Sequence, residues 1–228
     1  MSLRPVHEKI NDLSEGLVQL SDKVVGNLVK ALQTVRNQDE QEAHQIRKSD
    51  HEIDCAEVDL EERCLAFLAL QQPVAGDLRT IVTIIKINDD LERIGDLAVH
   101  VVDRMPEINP ALLDMFAFER MGFQAADMVK KSIDAFVLKD KVLADNVCAL
   151  DEEIDVMHRA VFKKVAALMK SPDSDVDQLI AALSISRYLE RMADHASRIA
   201  HEVIFLATGE IVRHKSKAYE KLVESLKN

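Results

Sequence analysis

The residues most able to do chemistry in this chain are carboxylates set four apart, and they occur in two copies. Residues 50 to 54 read Asp-His-Glu-Ile-Asp and residues 151 to 155 read Asp-Glu-Glu-Ile-Asp, an offset of 101. Residues 91 to 96 read Leu-Glu-Arg-Ile-Gly-Asp and residues 189 to 194 read Leu-Glu-Arg-Met-Ala-Asp, an offset of 98. On a helix, positions i, i+4, i+7 and i+11 share a face. Asp50, Asp54, Glu57 and Glu61 have that spacing, and Glu92, Asp96 and Asp103 repeat it, with His100 four residues beyond Asp96. Like charges stacked in this way repel by a few tenths of a kcal/mol per pair. Two such stripes facing each other call for a cation, and carboxylates and imidazoles from adjacent helices can ligate Fe, Mn, Zn or Mg.

The second copy changes the donor set. Asp151, Asp155, Glu190 and Asp194 keep the acids, whereas His158 stands for Glu57, Phe162 for Glu61 and His201 for Asp103. Imidazole suits Zn, Fe or Ni better than Mg or Ca, so the first copy is expected to be the harder site and the second the more transition-metal-like. The bland alternative is a solvated acidic surface, with Arg93 and Arg191 as ion-pair partners of the adjacent glutamates. Recurrence of both motifs in both copies favours a built feature. His7, His44, His51, His195 and His214 are read as surface or capping residues, and Met121, Phe123 and Phe136 as core.

A repeat of roughly 100 residues is domain-sized rather than solenoid-sized. The chain of 228 residues can bury its own core without a staple. Four per cent aromatic content, no Trp, six Gly and five Pro leave few helix breakers among many Leu, Ala, Val, Ile, Glu and Lys, which points to long helices. A formal net charge of −11 opposes nucleic acid or an anionic bilayer as a direct partner and favours cationic ligands. Cys55, Cys64 and Cys148 form no C-x-x-C pair, which excludes a thiolate zinc site of that kind and fits free thiols in a reducing cytoplasm. There is no P-loop, nucleophile elbow or dinucleotide fingerprint, so nothing points to an enzyme.

The elements that must position these residues follow from periodicity. Apolar steps of three and four predict a helix from Val6 to Asn37, and a second from Asp39 to the Gln71-Gln72-Pro73 break. A third is predicted over 77–104, apolar almost all round and therefore the central helix. Met105 to Pro110 reads as the linker, followed by helices over 112–138, 140–169 and 176–208. The expected fold is all-α: two tandem antiparallel three-helix bundles related by internal duplication, spanning 1–105 and 112–210, with a short tail over 211–228 that could carry an amphipathic helix from Lys215 to Lys227.

Several long segments in order resemble the PhoU family, regulators of bacterial phosphate uptake. They are Gln72-Pro-Val-Ala-Gly-Asp-Leu-Arg79, Lys86-Ile-Asn-Asp-Asp-Leu-Glu-Arg-Ile-Gly-Asp96, Arg187-Tyr-Leu-Glu-Arg-Met-Ala-Asp-His195 and Glu202-Val-Ile-Phe-Leu-Ala-Thr-Gly-Glu210, and the likeness covers nearly the full length. The resemblance implies multinuclear clusters of iron or zinc on the E/D-x-x-x-D motifs Asp50 to Asp54, Glu92 to Asp96, Asp151 to Asp155 and Glu190 to Asp194, and the donor chemistry also admits nickel or manganese. It also implies a cytoplasmic homodimer that contacts the ATPase of the phosphate-specific ABC transporter and a sensor histidine kinase. Membrane proximity would come through these partners only, and the protein would hold the phosphate-starvation response off when phosphate is plentiful. The chain departs from the family pattern at His100 to Asp103 and at Arg198 to His201, where Arg198 could neutralise Asp194 in place of a metal. Two other functions are weighed: a di-iron carboxylate protein of ferritin-like type, which Asp155-x-x-His158 alone approaches, and a metal-free helical adaptor.

Overall fold

The structure, a computed structural model, describes residues 5–212, so the expected tail helix lies outside the described residues. Three long helices, α1 (Pro5–Asn37), α2 (Glu40–Gln71) and α3 (Ala75–Asp103), form the first bundle. A 3-10 turn (Met105–Glu107) and the short α4 (Pro110–Leu113) lead to the second bundle of α5 (Phe118–Leu138), α6 (Lys141–Leu168) and α7 (Val176–Thr208). The same capping device opens the middle helix of each bundle. Asp39 accepts hydrogen bonds from the backbone N–H groups of Gln41 and Glu42 at 3.0 Å, and Asp140 accepts from Val142 and Leu143 at 2.8 and 3.1 Å.

The two bundles are not beads on a linker. A single core runs through both, with α3 packed on α7 and α1 on α5, while α2 flanks α3 and α6 flanks α7. The central role expected of α3 alone is shared with α7. The segment read as a linker is itself packed, with Met105 and Ile108 both 2% exposed, and the helix expected over 112–138 is broken after Leu113. Phe123, expected in the core, is 41% exposed, because Met121, Ala125, Met128 and Val129 take the inward face of α5 and leave Phe123 outside it; Met121 and Phe136 are buried as expected.

Lys86 meets Glu202, Asp90 meets Arg198 and His100 meets Tyr188, so α3 and α7 run antiparallel. By the offset of 98, Tyr188 is the counterpart of Asp90 and Arg198 the counterpart of His100. Asp90–Arg198 and His100–Tyr188 are therefore the same pair of positions used in both directions, which is the signature of a two-fold relation between the repeats.

At the other inter-repeat contact α1 approaches α5 closely at Gly122, where an added Cβ would lie inside the Leu32 side chain. Gly122→Val should therefore destabilise the chain by about 1–3 kcal/mol, as overpacking does. Gly26, in the middle of α1 with nothing within 4 Å of its Cβ position, should gain roughly 0.5–1 kcal/mol when changed to Ala. Denaturant unfolding of the two variants checks both signs.

Candidate metal-binding seams

Within each bundle the middle and last helices run antiparallel, which turns the two acidic stripes into one seam. Along the first seam, α2 contributes Asp50, Asp54 and Glu57 and α3 contributes Glu92 and Asp96. Along the second, α6 contributes Asp151, Asp155 and His158 and α7 contributes Glu190 and Asp194. The floor under each seam is fully apolar: Ile53, Leu91 and Ile94 in one repeat and Ile154, Leu189 and Met192 in the other are at most 1% exposed. Gly95 lets the first seam close, since a Cβ there would stand 3.1 Å from Asp50 Oδ1 and 3.5 Å from Ile53 Cγ2.

This setting penalises ionised carboxylates. Burial, then Asp54 and Asp96, push the Asp50 carboxyl up to about 6, and burial, then Asp194, Asp155 and Glu190, push Asp151 up to about 6. Burial also raises Glu57, Glu92, Glu190 and Asp194, each helped by neighbouring acids. Asp50 Oδ1, Glu92 Oε2 and Glu190 Oε2 are buried and have no hydrogen-bond partner among the described residues. Arg93 forms ion pairs with this seam, its Nε 3.3 Å from Glu92 Oε2 and its Nη1 3.6 Å from Asp96 Oδ2, but it donates no hydrogen bond to Glu92 and is more than half exposed. An unpartnered buried carboxylate oxygen is costly, and a cation is the group that satisfies it. The donor set therefore fits bound metal: oxygen ligands in the first seam, and oxygen with one imidazole in the second. Among the described residues no three ligating side chains are gathered around a single point, so an ion would have to draw them together.

Not every residue with the right spacing reaches a seam. Asp103 is held in an ion pair by Arg47 Nε at 2.8 Å, at the end of the first bundle. His100 turns to the other side of α3, where its ring centroid is 5.4 Å from that of Tyr188. Arg198 does not sit on Asp194; its Nε is 3.3 Å from Asp90 Oδ1 on the first repeat. His195, expected at the surface, is buried at 6% exposure with Nδ1 2.8 Å from the same Asp90 oxygen. His158 reaches the second seam with Nδ1 2.7 Å from Ser186 Oγ. Arg198 and His201 line both a groove of about 700 Å³ beside the first seam and a recess of about 390 Å³ beside the second, which places them between the two clusters. Sequence reasoning missed Asn88, whose amide nitrogen donates to Glu57 Oε1 at 2.7 Å, and Asp90, the 4%-exposed acid that gathers His195 and Arg198 from the other repeat. Their signal was Asn-Asp-Asp inside an otherwise apolar stretch of α3.

The raised carboxyls give a direction to the pH dependence. An acid whose folded pKa lies above its unfolded value binds protons on folding, so stability rises as pH falls through the folded pKa toward the unfolded one. For Asp50 and Asp151 that window runs from about 6 down to 3.8. Chelator-treated protein should melt at a higher temperature at about pH 5 than at about pH 7, and Asp50→Asn or Asp151→Asn should each reduce the difference. Thermal melts across that range provide the check.

The comparisons with known proteins agree with this architecture. The family described as PhoU domain matches residues 17–105 and again 118–203, one match on each repeat. A phosphate-specific transport system accessory protein PhoU homolog of Clostridium acetobutylicum is 31% identical, covering 93% of this chain and 98% of that protein. A relative of the same description from Aquifex aeolicus is 31% identical over 91% of this chain and 95% of its own. Among solved structures, the phosphate transport system regulatory protein PhoU of Streptococcus pneumoniae superposes with a TM-score of 0.84 at 28% identity, covering 91% of this chain and 99% of that one. PhoU of Pseudomonas aeruginosa gives a TM-score of 0.81 at 29% identity, covering 90% and 99%. On both the sequence and the paired three-helix bundles, this chain belongs to the PhoU family.

Proposed function

We propose that this protein is an accessory regulator of phosphate uptake that restrains the phosphate-starvation response by contact with other proteins rather than by catalysis. The observation that supports it is the full-length likeness, in sequence and in fold, to proteins described as accessory to or regulatory of phosphate transport. Its direct partners on this reading are the ATPase of the phosphate-specific ABC transporter and the sensor histidine kinase, met by a cytoplasmic homodimer. No described helix is long and apolar enough to cross a membrane, so the partners supply the membrane attachment.

The two seams take multinuclear iron or zinc clusters on this reading, held by Asp50, Asp54, Glu92 and Asp96 in one repeat and by Asp151, Asp155, Glu190 and Asp194 in the other. Bound metal would supply positive charge where the chain stacks negative charge, reversing the local sign of the surface. The protein's own contribution is to hold the acids on rigid helices above an apolar floor, with Arg93 and Arg191 beside the glutamates. A ferritin-like di-iron centre needs four helices around one site, and each repeat here packs three.

Cross-linking in phosphate-replete cells should recover the transporter ATPase or the sensor kinase with this chain, and recovery of neither would contradict the regulatory reading. Metal analysis of Glu92→Ala/Asp96→Ala and Glu190→Ala/Asp194→Ala should show each double variant losing the ions of its own seam only. Metal content unchanged in both would contradict the seams as its site, and a wild type that carries no metal would leave a metal-free helical adaptor.

A further inference from the structure

We propose that Asn88 and Glu57 form an additional oxygen-donor cation subsite at the end of the first seam, and that the second repeat has no counterpart of it. The inference rests on the metal reading above and adds which residues take a further ion, and of what kind.

Asn88 is fully buried at 0% exposure on α3. Its Nδ2 donates to the Glu57 backbone carbonyl at 2.9 Å and to Glu57 Oε1 at 2.7 Å. Both partners are acceptors, which decides which end of the amide is nitrogen. The remaining atom, Asn88 Oδ1, is buried and without a hydrogen-bond partner among the described residues. One turn along the same helix face, Glu92 Oε2 is buried and likewise accepts no hydrogen bond, its one charged neighbour being the exposed Arg93 at 3.3 Å. Glu57, Asp89 and Glu92 line the open groove beside this point, and the Glu57 carboxyl is raised first by burial and then by Glu61, Asp89 and Asp54. A neutral amide oxygen among carboxylates is the donor set of a hard divalent cation such as Mn²⁺, Mg²⁺ or Ca²⁺.

The second repeat changes this end of the seam as a block while keeping the rest. Asp54 and Glu92 persist as Asp155 and Glu190, but Glu57 becomes His158, Asn88 becomes Ser186, Glu61 becomes Phe162 and Asp89 becomes Arg187. The polar pair between the helices is retained in a new form, with His158 Nδ1 2.7 Å from Ser186 Oγ and that hydroxyl 4.0 Å from Met121 Sδ. Ser186 offers no amide oxygen, and Arg187 brings to the position of Asp89 a positive charge that, after burial, is the next cause lowering the His158 pKa. A hard cation has lost three carboxylates and an amide carbonyl there and meets a guanidinium instead.

The test counts Mn²⁺ bound to the full-length chain, by the electron paramagnetic resonance of the free ion. Exchanging the block in the first repeat, Glu57→His/Asn88→Ser/Asp89→Arg, should remove one Mn²⁺ per chain or weaken it at least about tenfold, since losing direct donors costs no less than losing the groups behind them, while the ions held by Asp50, Asp54, Glu92 and Asp96 remain. The reciprocal exchange, His158→Glu/Ser186→Asn/Arg187→Asp, should add one. Each replacement residue is one that the sister repeat carries at the same place, and circular dichroism melts confirm that the variants fold. Equal stoichiometry and affinity in the wild type and both exchanges would overturn the subsite alone. A wild-type chain that binds Fe²⁺ or Zn²⁺ but no Mn²⁺ would overturn the subsite alone, and one that binds none of the three would overturn the metal reading as well.

Discussion

Asp50 and Asp151 each stand half-buried among carboxylates of their own sign, and the rest of the molecule has to hold them there. The repulsion between neighbouring exposed acids on a helix amounts to a few tenths of a kcal/mol per pair, and burial increases it. Against this, each large apolar side chain sealed beneath the seams contributes about 1.5–3 kcal/mol, and Ile53, Leu91, Ile94, Ile154 and Leu189 all lie at or below 1% exposure. The floor outweighs the seam, so the acids can be kept close with oxygens left unpartnered. Such an arrangement leaves negative charge that a cation would offset.

The two seams are also tied to each other. Antiparallel packing of α3 on α7 puts Asp90 of the first repeat within reach of His195 and Arg198 of the second, and Lys86 within 3.0 Å of Glu202. His195 directly follows the seam residue Asp194, and Asp90 lies half a turn from Glu92. The two repeats are thereby joined by ion pairs and a hydrogen bond across the α3–α7 contact, with Asp90, His195 and Glu202 buried and Arg198 at the surface.

Much of this was legible in the chain. The period of the apolar residues and the repeated acidic motifs were enough for the six long helices, the duplication and the pairing of stripes within each bundle. Contacts between the repeats were not legible, because nothing local states that α3 and α7 pack antiparallel. That relation turns Arg198 toward Asp90 instead of Asp194, buries His195 and sends His100 to Tyr188. Asp103 had the spacing of a seam residue, but its fate depends on Arg47, which lies 56 residues away. Phe123 was misplaced because residue type outweighed helical phase in assigning it to the core.

Anomalous scattering from crystals soaked in ferrous or manganous ion would locate the ions themselves rather than infer them from binding. Peaks are expected at coordination distance from Asp50, Asp54, Glu92 and Asp96, with a separate group beside Asp151, Asp155, Glu190 and Asp194. Seams without peaks, with Arg93 hydrogen-bonded to Glu92 and Arg191 to Glu190, would contradict metal binding there.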